Sequence, residues 1–262
     1  MIVNTYTFLE KELILLNPIA FQLFGLEIRW YGILISIGMV LGTILALKRA
    51  KKENIKEDHI FDLLLFAIPV AIIGARTYYV IFNLSDYAGN FYHMINIREG
   101  GLAIHGGVIG GVLVGYFYCK KHKIPFRKMA DLFAPSIILG QAIGRWGNFV
   151  NQEAYGRPTN LPWAITVNGV GVHPTFLYES IWNLCVFGFL LWYDQKKKFN
   201  GEIFLLYAGL YSLARFFIEG LRIDSLMLGS FRVAQLVSLI TVMICGIVIY
   251  IGRKRITIKK VE

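Results

Sequence analysis

Charged side chains stand inside long apolar stretches of this sequence, and their types suit one kind of chemistry. Arg145 lies near the end of one stretch, Arg215 lies within another, and Arg76 sits inside a third. A charge at the centre of a membrane helix costs about 2.5–3.5 kcal/mol on insertion scales, so each needs a reason. Tyr211, Arg215 and Glu219 are spaced four apart and Arg222 follows three later, which predicts one face of a helix. A guanidinium is a fixed fork of donors that matches phosphate oxygens and stays charged at any relevant pH. His105, set among Gly100-Gly101, Gly106-Gly107 and Gly110-Gly111, is the one group here suited to moving a proton near neutral pH. Such glycines permit close approach of backbone or substrate, although small residues also make ordinary helix-packing surfaces. Two arginines, a histidine and glycine-rich backbone point to an anionic oxygen ligand, most simply a phosphate. At membrane depth the natural phosphate is that of a phospholipid head group. The competing explanation is snorkelling or buried ion pairs that fix helix packing, and for Arg76 it weighs as heavily as function.

The elements that must carry these residues follow from composition. The chain has 262 residues, 56% hydrophobic and only 17% charged, against roughly 25% charged in soluble domains. Apolar blocks near the roughly 20 residues needed to cross a bilayer core run near 30–47, 60–82, 101–119, 129–149, 174–193, 203–219 and 231–252. The expected architecture is all-α: one polytopic integral membrane domain over residues 1–262, with about seven transmembrane helices. The apolar residues 13–24 are too short to span and read as an interfacial segment. A signal peptide is not expected, since Glu10, Lys11 and Glu12 precede that run and no small-residue cleavage site follows it. The connector at 150–173, rich in Asn, Pro and Gly, is expected to fold as a small extracytoplasmic cap.

Orientation follows from the basic residues. Lys48, Arg49, Lys51, Lys52 and Lys56 follow the first block, and Lys120, Lys121, Lys123, Arg127 and Lys128 the third. Lys196 to Lys198 follow the fifth, and Arg253, Lys254, Arg255, Lys259 and Lys260 the seventh. Every second connector is thus basic, which by the positive-inside rule puts the amino terminus outside and the carboxyl terminus in the cytoplasm. The net charge of +10 belongs to this asymmetry and to anionic lipid, not to nucleic acid. In this orientation Tyr31, His105, Arg145, Asn148, Arg215 and Glu219 share one depth near the outer leaflet. Cys119, Cys185 and Cys245 fall within or at the ends of spans and read as small packing residues. His and carboxylates do not recur at ligand spacing, so neither a metal nor a cofactor is expected.

At these residues the sequence resembles a family, the bacterial phosphatidylglycerol–prolipoprotein diacylglyceryl transferases. Residues Gly144–Gly156 (GRWGNFVNQEAYG) are similar to the family signature across all thirteen positions. Arg29–Gly32 (RWYG), His105–Gly107 (HGG), His173–Glu179 (HPTFLYE) and Arg215–Arg222 (RFFIEGLR) agree in order and spacing, so the resemblance spans nearly the whole chain. It implies transfer of the diacylglyceryl group of phosphatidylglycerol to the lipobox cysteine thiol of a prolipoprotein signal peptide. The products are a thioether and glycerol phosphate, and the step is the first in bacterial lipoprotein maturation. It implies a multi-pass protein of the bacterial cytoplasmic membrane with its active site toward the extracytoplasmic side.

On that reading the nucleophile comes from the substrate. His105 is the first candidate for the base that makes the thiolate, with an arginine–carboxylate pair the alternative. Arg145 and Arg215 receive charge on the leaving phosphate, and Asn148 donates a hydrogen bond. Tyr31 and Tyr211 orient the head group, while Glu153 and Glu219 hold the arginines. Gly156 and Arg157 shape the loop or admit the head group. His173 serves either the start of a helix or catalysis. An organic-anion transporter or channel would also hold arginines in the membrane, but it should carry polar residues through both leaflets. Here the inner halves are mostly apolar, as in Ile203–Ala208. A structural or scaffold membrane protein would not need the polar layer.

Overall fold

Each apolar block forms one helix in the computed structural model, which describes residues 17–87, 89, 91–97 and 100–258. The long helices are α1 (Trp30–Lys52), α2 (Glu57–Phe82), α5 (Ile104–Lys121), α6 (Phe126–Val150), α7 (Thr175–Tyr193), α8 (Glu202–Glu219) and α9 (Val233–Ile258). Two short helices, α3 (Leu84–Tyr87) and α4 (Phe91–Ile95), lie between α2 and α5. A 3-10 turn (Asp194–Lys196) follows α7, and there are three antiparallel hairpins: β1–β2 (Ile19–Leu23, Leu26–Arg29), β3–β4 (Ile165–Val167, Val170–Val172) and β5–β6 (Met227–Leu228, Phe231–Arg232). Four of the long helices, α1, α2, α7 and α9, are long and apolar enough to cross a membrane. The other three owe their lower hydropathy to the glycines, arginines and acids they carry. Apolar side chains such as Ile73, Phe117 and Tyr250 point away from the protein, as lipid-facing residues do.

The segment read as interfacial becomes, in its described part, strand β1; residues 13–16 lie outside the described residues. The helices overrun the apolar blocks at their basic ends because Lys and Arg are good helix formers that meet the negative pole of the helix dipole. Arg49, Lys51 and Lys52 do so in the last turn of α1. Three helices stop in the same way, the N–H two residues past the cap reaching back to the last turn's carbonyl. Ile55 donates to Ala50 and Ile124 to Cys119, both at 2.9 Å, and Glu153 donates to Asn148 at 3.0 Å. The residue before each (Asn54, Lys123 and Gln152) takes φ near +55°.

The chain divides into two units, residues 43–133 and residues 1–42 with 134–262. In the first, α2 and α5 touch backbone to backbone. A Cβ on Gly106 would lie 2.1 Å from the Gly74 carbonyl oxygen, and one on Gly110 would lie 2.7 Å from that of Val70. Gly106→Val therefore costs more than the roughly 1–3 kcal/mol of ordinary overpacking. Folded protein recovered after solubilisation should collapse, as size-exclusion profiles would show. Ala46, Ala50, Ile60, Leu63, Cys119 and Leu132 form this unit's core. Arg76 is resolved here as a packing residue. It is buried and donates to the carbonyls of His93, Met94, Gly100 and Gly101 at 2.5, 3.0, 2.6 and 3.0 Å, so it ties the α4–α5 connector to α2.

In the second unit Ala134, Ile138, Val186, Leu190 and Ile203 make a core shared by α6, α7 and α8. Gly38 and Gly42 of α1 lie against Gly140 and Ser136 of α6. Glu202, fully buried at the start of α8, accepts from Arg253 of α9 at 2.7 Å, from Tyr193 of α7 at 3.1 Å and from the Lys198 N–H at 2.5 Å. That one carboxylate joins three helix ends. Cys119 and Cys245 are buried, as packing residues should be, while Cys185 is exposed on α7.

Candidate functional site

Glu179, on the second turn of α7, is the centre of the charged cluster. It is 4% exposed, and its two oxygens take two arginines from two other helices. Arg145 of α6 reaches Oε2 at 2.6 Å and Arg215 of α8 reaches Oε1 at 3.1 Å. Arg215 also meets Glu219, one turn further along α8, at 2.8 Å. Glu219 thus holds an arginine, as the sequence predicts. Glu179 is not among the site residues that the sequence singles out. The signal was present, because an acid inside an apolar block carries the same insertion penalty that drew attention to the arginines.

Arg145 extends the network outward. Its Nη2 donates to the Tyr211 hydroxyl at 3.4 Å and its Nη1 to the Asn148 amide oxygen at 3.5 Å. Asn148 in turn donates to Glu153 at 2.9 Å, and Asn151 donates to the same oxygen at 3.4 Å. Glu153 therefore acts on Arg145 through Asn148 and not by direct pairing. Its place is set by the backbone: it follows Gln152, the left-handed residue that ends α6, and precedes Ala154, which also has positive φ. Tyr31 of α1 lays its ring on Gly147, where a Cβ would come within 2.2 Å of the ring.

Arg222 does not share the helical face of Arg215. Helix α8 ends at Glu219, and a tight turn brings Arg222 back to within 3.8 Å of Glu179 and 4.0 Å of Glu219. Its closest bonds are to Asp224, at 2.9 and 2.6 Å. Partial burial works against the Asp224 carboxylate, but the hydrogen bonds and charge of Arg222 outweigh it and hold the group below the usual carboxylate range. A depressed carboxylate stabilises the fold above its ordinary pKa, and that contribution is lost as pH falls through the lowered value. Asp224 is half exposed, so the effect should stay below about 1 kcal/mol. A thermal-midpoint series from pH 7 to 3 should show an acid-side loss that is smaller in Asp224→Asn.

The connector at 150–173 folds around hairpin β3–β4. Hairpin β3–β4 is joined by bridges from Gly156 to Arg222 and from Pro158 to Val172. Gly156 donates to the His173 carbonyl at 2.9 Å, Arg157 donates to that of Leu221 at 2.8 Å, and His173 returns a bond to Arg157 at 3.1 Å. A side chain at Gly156 would lie 2.7 Å from the His173 Cβ, which is why glycine stands there. The His173 ring lies 3.3 Å from the Tyr178 hydroxyl, and that hydroxyl also accepts from Trp163 at 2.8 Å. His105 belongs to the other unit, where its ring lies 5.7 Å from that of Tyr78. Among the described residues no group of three or more His, Cys, Asp or Glu is arranged to hold a metal.

A family model described as prolipoprotein diacylglyceryl transferase matches residues 18–251. The chain belongs to the prolipoprotein diacylglyceryl transferase family. Curated members include the phosphatidylglycerol–prolipoprotein diacylglyceryl transferase of Finegoldia magna, 54% identical over 94% of this chain and all of the relative. Those of Clostridioides difficile and Clostridium botulinum (strain Langeland) are 56% and 52% identical over 91% and 90% of this chain, and over 97% and 96% of their own lengths. The chain is accordingly a transferase and a multi-pass membrane protein. In this member of the prolipoprotein diacylglyceryl transferase family, the signature Gly144–Gly156 is the last two turns of α6 and the turn that follows. It carries Arg145, Asn148 and Glu153 into one network.

Proposed function

We propose that this chain transfers the diacylglyceryl group of phosphatidylglycerol to a cysteine thiol in the signal peptide of a prolipoprotein. The reading places it in the bacterial cytoplasmic membrane as one membrane domain of seven spans, amino terminus outside and carboxyl terminus cytoplasmic. Its site then faces the extracytoplasmic side. Supporting this are the alternation of basic connectors and the seven long helices. The observation that carries the reading is the Arg145–Glu179–Arg215 network in a chain with this family membership.

In the reaction the thiol loses its proton to a base, and His105 is the candidate. The sulfur forms a bond to the glyceryl carbon while the carbon–oxygen bond to phosphate breaks, and glycerol phosphate leaves with the electron pair. Arg145 has five N–H donors and spends them on one carboxylate and two longer contacts, so it retains donors for a phosphate. Arg215 is the second acceptor of the developing charge. Asn148, Tyr31, Tyr211, Glu153, Gly156 and Glu219 are assigned to the lipid-binding side of the site. The test incubates purified protein in phosphatidylglycerol liposomes with a lipobox peptide and weighs the product. Wild type should add one diacylglyceryl group to the cysteine. If His105 is the base, His105→Gln should lose at least about 10²-fold in rate; near-normal activity would reduce it to a positioning role. No thioether from folded wild type would sink the transferase reading and favour anion transport.

A further inference from the structure

Helix α1 has two faces with opposite fates. Gly38 and Gly42 are buried on α6, and the face across from them is uncovered by the described residues of its own unit. There Gly32, Ile33, Ser36, Ile37, Val40 and Leu41 line a trough of about 670 Å³ whose head is lined by Glu27, Ile28 and Arg29 of strand β2. The trough is apolar because Ser36 turns its hydroxyl inward to the Gly32 carbonyl, at 2.8 Å. Gly32 forms part of its floor, and a Cβ there would meet nothing within 4 Å. At the head, Arg29 is 65% exposed, and its ion-pair partner Glu27, 3.8 Å away, is 47% exposed.

We propose that this trough binds one phosphatidylglycerol molecule outside the arginine–carboxylate site. Its phosphate sits on Arg29 and one acyl chain lies along α1. Length and charge both fit. From Gly32 to Leu41 is nine residues, about 13.5 Å at 1.5 Å per residue, close to half of the roughly 30 Å hydrocarbon core. The groove is therefore one leaflet deep with a cation at its head. Beside that cation Glu27 accepts from head-group hydroxyls, which phosphatidylglycerol has and phosphatidylcholine lacks. Across the helix from the trough, on the packed face of α1, Tyr31 rests on Gly147, two positions from Arg145. The trough thus lies one helix width from the turn that presents Arg145, a place where a donor lipid would wait. Only this waiting role rests on the function proposed above.

The experiment uses the full chain in nanodiscs, with phosphatidylglycerol carrying a photoreactive group on one acyl chain. Crosslinks should map to residues 32–41 and be competed by unlabelled phosphatidylglycerol several-fold better than by phosphatidylcholine. Gly32→Leu, which fills the floor without touching the packed face, should abolish them, and Arg29→Gln should remove the head-group preference. In the transfer assay Gly32→Leu should raise the lipid concentration for half-maximal rate several-fold and leave that of the peptide alone. Crosslinking unchanged in Gly32→Leu, or indifferent to head group, overturns the proposal. So does a rise in the peptide's half-maximal concentration instead of the lipid's, which would make the trough a lane for an apolar peptide helix. Crosslinking as expected in a chain that makes no thioether would leave the trough standing and sink the transferase reading.

Discussion

Glu179→Gln is expected to lower diacylglyceryl transfer by about 10²-fold or more while the protein still inserts and folds. The side chain keeps its volume, but the amide carries no charge to balance Arg145 and Arg215. The two guanidinium groups are each within 3.1 Å of the carboxylate now. Without it they repel and move apart, and a misplacement of about 1 Å at a reacting centre costs on the order of 10² in rate. Glu179→Ala should be worse for the fold. It leaves largely buried arginines short of a counter-charge, a loss of about 3–5 kcal/mol in comparable buried pairs. Thioether formation at saturating phosphatidylglycerol, read beside the thermal midpoint in detergent, separates the effects. Wild-type rates in Glu179→Gln would mean that the carboxylate only holds helices together.

The second large effect is expected at Arg145. Arg145→Lys keeps the charge but loses the fork that lets one residue reach Glu179, Tyr211 and Asn148 together. A lysine ammonium can satisfy the carboxylate or face a phosphate, but it cannot span both with fixed geometry. The rate should fall by about 10²–10³, the range for losing one pre-organised donor at a developing charge, and Arg145→Ala should fall further. Because Tyr211 makes only a 3.4 Å contact with Arg145, Tyr211→Phe should cost much less. Equal losses at the two positions would show that the hydroxyl, and not the guanidinium, is the limiting group. The initial rate of peptide lipidation in each variant decides between these outcomes.

Much of this protein was legible in the order of its residues because a bilayer imposes simple rules. A run near twenty apolar residues must satisfy its own backbone, and helices do that; each such run is a helix. The price of a charge in an apolar run marked Arg145, Arg215 and Glu219; Arg215 does meet Glu219, and Arg145 joins them through Glu179. The thirteen-residue signature pointed to the family, and the family holds. Other features needed the folded chain. Arg76 looked as expensive as Arg145, but only the packing shows that its donors go to four backbone carbonyls. Glu179 was passed over because its partners lie 34 and 36 positions away, on other helices. Arg222 followed the helical spacing in sequence, yet α8 stops at Glu219 and a turn carries it back. Glu153 was assigned to an arginine, but the left-handed residue that ends α6 aims it at Asn148 and Asn151. Sequence spacing determines which residues share a face of one helix, since that depends on a fixed rise and turn. Which faces of different helices meet depends on glycine contacts and side-chain shapes far apart in the chain, and only the tertiary structure decides it.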